Sequence, residues 1–327
     1  LEPQNDNPFK GDFDIPALRK LIAEKRDRIP FLRIETGTNL IGGQPISMKN
    51  IKEVCALCRE NGIRTVIDAS LMQDNLYFIK VREPEYKDVP LKDIMHELAD
   101  ISDIIYFSAR KLGFSRGGAI ITKHENIYRE MMEFIPLYEG FLTYGGMEVR
   151  SMEAMAQGLY ESLDMEIISQ GPLFIEYLVK ELDDYGVPMV KPAGGLGAHI
   201  NASAFLPDMP HNVYPAAALA AAVYIAGGIR GMERGTLSEQ REEDGTERYA
   251  ELELLRLACP RRVFTLSQIK YCADRVKWLY DNRELIGGLE WVEEPKVLRF
   301  FFGRLKPIGD WQQKLMNKFR EDFGDSL

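Results

Sequence analysis

The sequence predicts an α/β protein that carries its reactive groups at the ends of buried strands. Three observations predict it. The run Ile104-Ile105-Tyr106-Phe107 is short, β-branched and aromatic, and it ends in Ser108-Ala109-Arg110-Lys111. A second apolar run, Thr65-Val66-Ile67, ends in Asp68, and a third, Leu32-Arg33-Ile34-Glu35, runs out towards Thr38-Asn39. Helical patterns stand between them, and in open α/β sheets ligand-binding groups gather at the carboxyl ends of strands.

The elements follow in order. Residues 1–7 are polar and read as a loose end. Asp14 to Lys25 carries apolar residues at helical spacing. After the first strand, Gly42-Gly43 and Pro45 mark a turn, and Ser47 caps a helix reaching about Asn61. Tyr77 to His96 holds charge and two prolines, with a helix beginning near Leu91. Gly117-Gly118 reads as a tight connection into a strand, Ala119 to Thr122. A long helical pattern runs with interruptions from Met147 to Tyr185. Gly194-Gly195-Leu196-Gly197 reads as a turn before an alternating stretch, Ala198 to Phe205. Pro215 to Ala226 is an alanine-rich helix stopped by Gly227-Gly228. Glu239 to Arg248 is a charged, exposed loop, Leu266 to Arg283 an amphipathic helix, and Val297 to Phe302 an apolar strand.

The 327 residues suit two domains, divided here as 1–165 and 166–327. A net charge of −9 argues against nucleic acid or an anionic membrane as the main partner. No apolar run is long enough to span a bilayer, and no signal peptide opens the chain, so a cytoplasmic protein is expected. The four cysteines do not make a disulfide scaffold. Cys55-x-x-Cys58 has the spacing of a redox pair or half a zinc site. It lies in a helical pattern with no second pair to answer it, so structural thiols are expected and no metal site is assigned.

An amine (Lys111), a carboxylate (Asp68) and an amide (Asn39) at neighbouring strand ends suit pyridoxal phosphate. That cofactor needs an amine for covalent attachment and an acid to keep its pyridine nitrogen protonated. Spacing alone leaves solvated strand ends as the alternative. Arg256 sits inside the apolar run Leu254-Leu255-Arg256-Leu257. A charge there needs a partner, either a structural ion pair or a bound carboxylate held bidentately.

A family resemblance runs through nearly the whole chain. Its ordered matches are Pro8 to Asp12, Asn39 to Ser47 (NLIGGQPIS), Asp68-Ala69-Ser70, Asn75 to Lys80 (NLYFIK), and Ser108 to Lys111. Further on come Tyr144-Gly145-Gly146, Met232 to Gly235 (MERG), Arg256 to Val263 (RLACPRRV) and Glu294 to Phe301 (EPKVLRFF). In these segments the chain resembles the β-eliminating lyases, the family of tyrosine phenol-lyase and tryptophanase, and more nearly the former. The resemblance implies pyridoxal-phosphate fold type I, with a large α/β domain, a smaller α+β domain, and α,β-elimination of a tyrosine-like amino acid to pyruvate, ammonia and the free aromatic. It implies Lys111 as the attachment and proton-transfer lysine and Asp68 as the pyridine acid. Asn39, Ser108, Ser70 and Arg110 become cofactor neighbours, and Arg256 the carboxylate anchor. Arg234, with Phe300 and Phe301, would face the leaving group. It also implies a homo-oligomer, a dimer of dimers.

Departures qualify the activity. Leu71 stands where the family has an arginine beside the cofactor. Arg116 replaces an asparagine near a monovalent-cation site, leaving potassium an open expectation. The family pattern begins upstream of Leu1, so the large domain is expected to be incomplete, with the missing segment supplied by a longer native chain, a cleaved piece or a second polypeptide. Another pyridoxal-phosphate reaction on amino acids (transamination, retro-aldol cleavage or another elimination) and a non-catalytic shortened relative remain the alternatives.

Overall fold

The computed structural model describes residues 2–324. The chain divides into two compact units. One comprises Asn7–Asn39 and Gly43–Pro172; the other comprises Leu1–Asp6, Leu40–Gly42 and Leu173–Leu327.

The first unit opens with helix α1 (Ile15–Lys25), whose N-cap Asp14 accepts from the Ala17 amide. Strand β1 (Phe31–Glu35) follows, then α2 (Met48–Glu60), where Ser47 accepts from the Asn50 amide. Glu83 adds its carboxylate to the same helix start, accepting from the amides of Met48 at 2.8 Å and Lys49 at 3.2 Å, where the helix dipole favours a negative charge. Next come β2 (Arg64–Asp68), α3 (Met72–Arg82), α4 (Leu91–Ile101), β3 (Ile104–Ser108), β4 (Gly118–Thr122), α5 (Glu125–Tyr138), α6 (Val149–Glu161) and α7 (Met165–Ile168). The sheet order is β1-β2-β3-β4; the first three strands are parallel and β4 is antiparallel at the edge.

Alternation along the strands gives this sheet two unlike faces. Leu32, Ile34, Thr65, Ile67 and Phe107 are buried against the helices, with Ile51, Val54, Leu76, Phe78 and Ile94 beneath them. Arg33, Val66, Tyr106 and Ser108 lie on the other face and are less buried. Cys55 and Cys58 belong to the buried side of α2, are not disulfide-bonded, and have thiols pushed up by burial to about 12 and about 11. They are packing residues, as their helical context suggested.

The second unit begins within α8 (Gln170–Asp184). It continues through β5 (Gly197–Asn201), α9 (Ala202–Phe205), α10 (Pro215–Gly227), β6 (Met232–Arg234), β7 (Leu254–Ala258), α11 (Leu266–Asp281), β8 (Leu289–Glu293), α12 (Arg299–Phe302), β9 (Arg304–Pro307) and α13 (Trp311–Phe323). Strands β5-β7-β6 form an antiparallel sheet and β8-β9 an antiparallel pair. Its core is made of Leu178, Leu182, Met189, Ile200, Phe205, the alanine face of α10, Leu255, Leu257, Val276, Leu279 and Leu315. The small side chains of α10 let α11 and α13 approach it closely. Among the described residues no helix is long and apolar enough to cross a membrane.

Two sequence expectations are corrected. Val297 to Phe302 is no strand: Leu298 is left-handed (φ 54°), Arg299–Phe302 is a short helix, and Phe301 and Phe302 are 70% and 68% exposed. Periodicity cannot separate strand from helix in so short an apolar run, and here the burial of Arg299 decides the backbone. The alternation after Ala198 holds only to Asn201, which caps α9 through the Ala204 amide. Helix α3 carries no polar stripe to announce it, being buried nearly all round, and Pro136 inside α5 obscures that helix.

Candidate active site

Parallel pairing brings the ends of β1, β2 and β3 into one row, with Glu35 opposite Asp68 and Asp68 opposite Tyr106. Asp68 is 8% exposed and its carboxylate is held from both sides. Oδ1 accepts from the Ser70 amide at 3.0 Å, and Oδ2 accepts from the Tyr106 hydroxyl at 2.8 Å. The main chain is held as well, since the Asp68 carbonyl accepts from Thr36 N at 3.0 Å and Thr36 Oγ1 at 2.8 Å. Each carboxylate oxygen carries two lone pairs, so one on each is left for a further donor.

Ser70 Oγ accepts from the Ser108 amide at 3.1 Å, which ties the ends of β2 and β3 together. Beyond Ser108 the chain makes a tight turn closed by Ala109 N to Gly117 O (3.0 Å) and Phe114 N to Ala109 O (2.9 Å). Ala109 and Leu112 are buried, so Arg110 and Lys111 between them are turned outward and exposed. The preceding loop is fixed by Asn75, wholly buried on α3. Its amide exchanges two hydrogen bonds with the Ile46 backbone, at 2.9 and 3.0 Å. Asn39 begins that loop, and its amide lies 3.5 Å from Glu35 Oε1. Leu71 is buried. Gly37 faces it at φ 74°, where a β-carbon would meet the Leu71 Cβ at 3.0 Å. Only glycine suits both the backbone and the space.

The second unit holds the remaining candidates. His199 on β5 pairs with Arg256 on β7, which pairs with Met232 on β6. Arg234 is two residues further along β6, on the same face. Arg256 Nη2 lies against the Met232 sulfur. Burial, then the Arg234 charge, lowers the Arg256 guanidinium to about 10. Burial, then Arg256 and Arg234, holds the His199 imidazole down at about 3, so it stays neutral. His199 Nδ1 is 3.1 Å from the Gly197 carbonyl, while its buried Nε2 has no hydrogen-bond partner among the described residues. This face carries two guanidiniums and a neutral imidazole, and a planar guanidinium such as that of Arg256 suits a carboxylate. Phe300 packs partly against the core and meets the exposed Phe301 ring edge-on at 5.1 Å.

Asp68, Ser70, Ser108, Arg110, Lys111 and Asn39 therefore belong to the first unit, and Arg234, Arg256, Phe300 and Phe301 to the second. Sequence reasoning missed Tyr106, Arg33 and His199. Tyr106 and His199 were legible only as strand residues, because their partners are set by cross-strand register.

A family model for beta-eliminating lyases matches residues 1–275. The chain belongs to the beta-eliminating lyase family. Tyrosine phenol-lyase of Pasteurella multocida is 43% identical over 309 residues, 94% of this chain and 68% of that protein. Tyrosine phenol-lyase of Lacrimispora saccharolytica is 44% identical over 303 residues, 91% and 65% of the two chains. A probable tryptophanase of Aeropyrum pernix is 38% identical over 305 residues, 92% and 65%. Among solved structures, Leishmania major threonine aldolase superposes with a TM-score of 0.54 at 15% identity, covering 82% of this chain and 68% of that one. That likeness concerns the fold, which is fold type I of the pyridoxal-phosphate enzymes, as the sequence implied. The donor set of the first unit fits the cofactor of this lyase family: a buried carboxylate with lone pairs to spare, an exposed amine beyond the next strand, and hydroxyls between them.

Proposed function

We propose that this beta-eliminating lyase acts on an aromatic, tyrosine-like L-amino acid and releases pyruvate, ammonia and the free aromatic. The observation that carries the reading is Asp68: a buried carboxylate with both oxygens fixed, at a strand end beside the loop that presents Lys111. The 43% identity to a tyrosine phenol-lyase supports the choice of substrate class.

Bound at these residues, pyridoxal phosphate supplies an electron sink for the carbanion left when the substrate loses its Cα proton. The chain's own groups do the rest. Asp68 accepts the pyridine N–H and keeps that nitrogen charged. Lys111 would be the residue that holds the cofactor, and its Nζ would take the Cα proton of the substrate. Ser108, Ser70, Asn39 and Arg110 supply polar contacts around the ring and phosphate. Arg256 would bind the substrate carboxylate, and Arg234 would donate to the leaving-group oxygen, with Phe300 and Phe301 as apolar neighbours of the ring. A hydroxyl-directed site of this kind rejects analogues lacking the hydroxyl.

Borohydride reduction of the cofactor-loaded protein followed by peptide mapping is expected to label Lys111; a label on another lysine overturns the reading. Product analysis with tyrosine separates the second reading, a different pyridoxal-phosphate reaction. That second reading is motivated by the burial of Leu71 (4% exposed) where the family pattern has an arginine. Elimination gives equal pyruvate and ammonia, whereas transamination gives a keto acid with neither.

A further inference from the structure

The carboxylate of Asp68 has an attachment that its proposed role does not itself require. Tyr106 stands opposite it in register on β3, and the Tyr106 hydroxyl donates to Oδ2 at 2.8 Å. On the far side of that hydroxyl, Arg33 of β1 brings Nη1 to 3.5 Å of the phenol oxygen and Nη2 to 3.4 Å of Glu35 Oε2. The guanidinium has only protons to offer, so the phenol oxygen faces a cation and its single proton is directed to Asp68. Burial, then the Asp68 carboxylate, raises the Tyr106 hydroxyl above its ordinary range, which keeps it a donor at neutral pH.

Two donors from opposite sides, Ser70 N and Tyr106 Oη, leave the carboxylate no freedom to turn about its χ2 torsion. The one from β3 is a side chain on the less covered face of the sheet, next to the strand end where Lys111 follows. A phenol here contributes little to the core, because the core lies on the opposite face with Phe107 and Ile67.

We propose that Tyr106 is a positioning residue for the cofactor acid: its hydroxyl, oriented by Arg33, fixes the Asp68 carboxylate so that its remaining lone pairs meet the pyridine N–H of the incoming cofactor. The inference rests on the reading of Asp68 as that acid.

The test uses Tyr106→Phe, Arg33→Gln, the double variant, and Asp68→Asn as the control, all in the full chain. Two quantities are measured: pyridoxal phosphate affinity of the cofactor-free protein by ultrafiltration, and the ¹⁵N chemical shift of the pyridine nitrogen in bound, labelled cofactor. Losing a hydrogen bond to a charged group is expected to weaken cofactor binding by about tenfold in Tyr106→Phe, and to move the pyridine nitrogen towards its unprotonated shift. Arg33→Gln is expected to have a smaller effect in the same direction. The double variant should be no worse than Tyr106→Phe, because Arg33 acts through the hydroxyl that is gone. Tyr106→Phe and Arg33→Gln proteins that bind within about twofold of the parent, with an unchanged nitrogen shift while Asp68→Asn is impaired, overturn the inference alone. An Asp68→Asn protein that binds and protonates the cofactor normally overturns the assignment of Asp68 and the inference with it. Arg33 is exposed and its substitution leaves the core intact, so the test survives a poorly folding Tyr106 variant.

Discussion

His199 shows how much one cross-strand neighbour changes a side chain. On β5 it sits opposite Arg256, fully buried, and burial together with the two arginines brings its imidazole down to about 3. The unfolded chain protonates this histidine near pH 6.5, roughly its free value. Below that pH the unfolded state gains a proton that the native state refuses, so this group's contribution makes the protein less stable as pH falls, until about 3 is reached. Between pH 6.5 and 5.5 the expected loss is about 1 kcal/mol. Glu233, raised by burial to about 7, titrates in the same interval with the opposite sign in both proteins, so the reading is the difference: urea midpoints should fall with pH by this amount more in the parent than in His199→Phe, which has no proton to gain. An unchanged slope in the variant would show that the imidazole is charged in the native protein.

At the scale of elements, the segment from Thr236 to Glu253 has little regular structure, yet it is fixed by a buried arginine. Arg299 is 2% exposed. Its guanidinium donates to the carbonyls of Thr236 (2.7 Å) and Glu239 (2.5 Å) and to the carboxylates of Glu247 (2.5 Å) and Glu294 (2.9 Å). Tyr214 donates to Glu247 at 2.7 Å and receives the Trp291 indole N–H at 2.7 Å, while Arg241 joins Glu294 to Glu247. This network draws Arg299 inward, which turns Phe301 and Phe302 outward on α12. Arg299→Met would leave the Thr236 and Glu239 carbonyls without their donor and take one of two cations from carboxylates that keep Arg241, at a cost of about 1–3 kcal/mol. Glu247→Gln keeps a hydrogen-bonding group of the same shape and should cost less. Denaturant unfolding measures both, and limited proteolysis should find new cleavage between residues 239 and 253 in Arg299→Met. A loss below about 1 kcal/mol would mean that the network is a surface ion cluster rather than a clamp.

Across the whole molecule, the two units carry separate hydrophobic cores. All three tryptophans, Trp278, Trp291 and Trp311, fall in the second unit, while the proposed cofactor residues fall in the first. Tryptophan fluorescence therefore reports one unit and a saturating cofactor stabilises the other. At 100 times its dissociation constant a ligand adds about 2.7 kcal/mol to the state it binds. Unfolding followed by far-UV circular dichroism is expected to shift with pyridoxal phosphate more than unfolding followed by tryptophan fluorescence. Equal shifts by both probes would show that the cores unfold as one.

The sequence by itself determined the strand–helix alternation, the cap at Ser47, and the placement of Asp68 and Lys111 at strand ends, because periodicity and capping are local. Its ordered motifs also determined the family. What touches Asp68 was left to the tertiary structure, because Tyr106 is 38 residues away in sequence and meets it only through parallel pairing. The same holds for His199 beside Arg256, which depends on β5 and β7 lying antiparallel in register. The strand expected at Val297–Phe302 became a turn and a short helix because Arg299 has four partners between residues 236 and 294. A local pattern records which face of an element is apolar. Which charged group will be buried, and by which partner, is a property of distant segments brought together, and only the folded chain decides it.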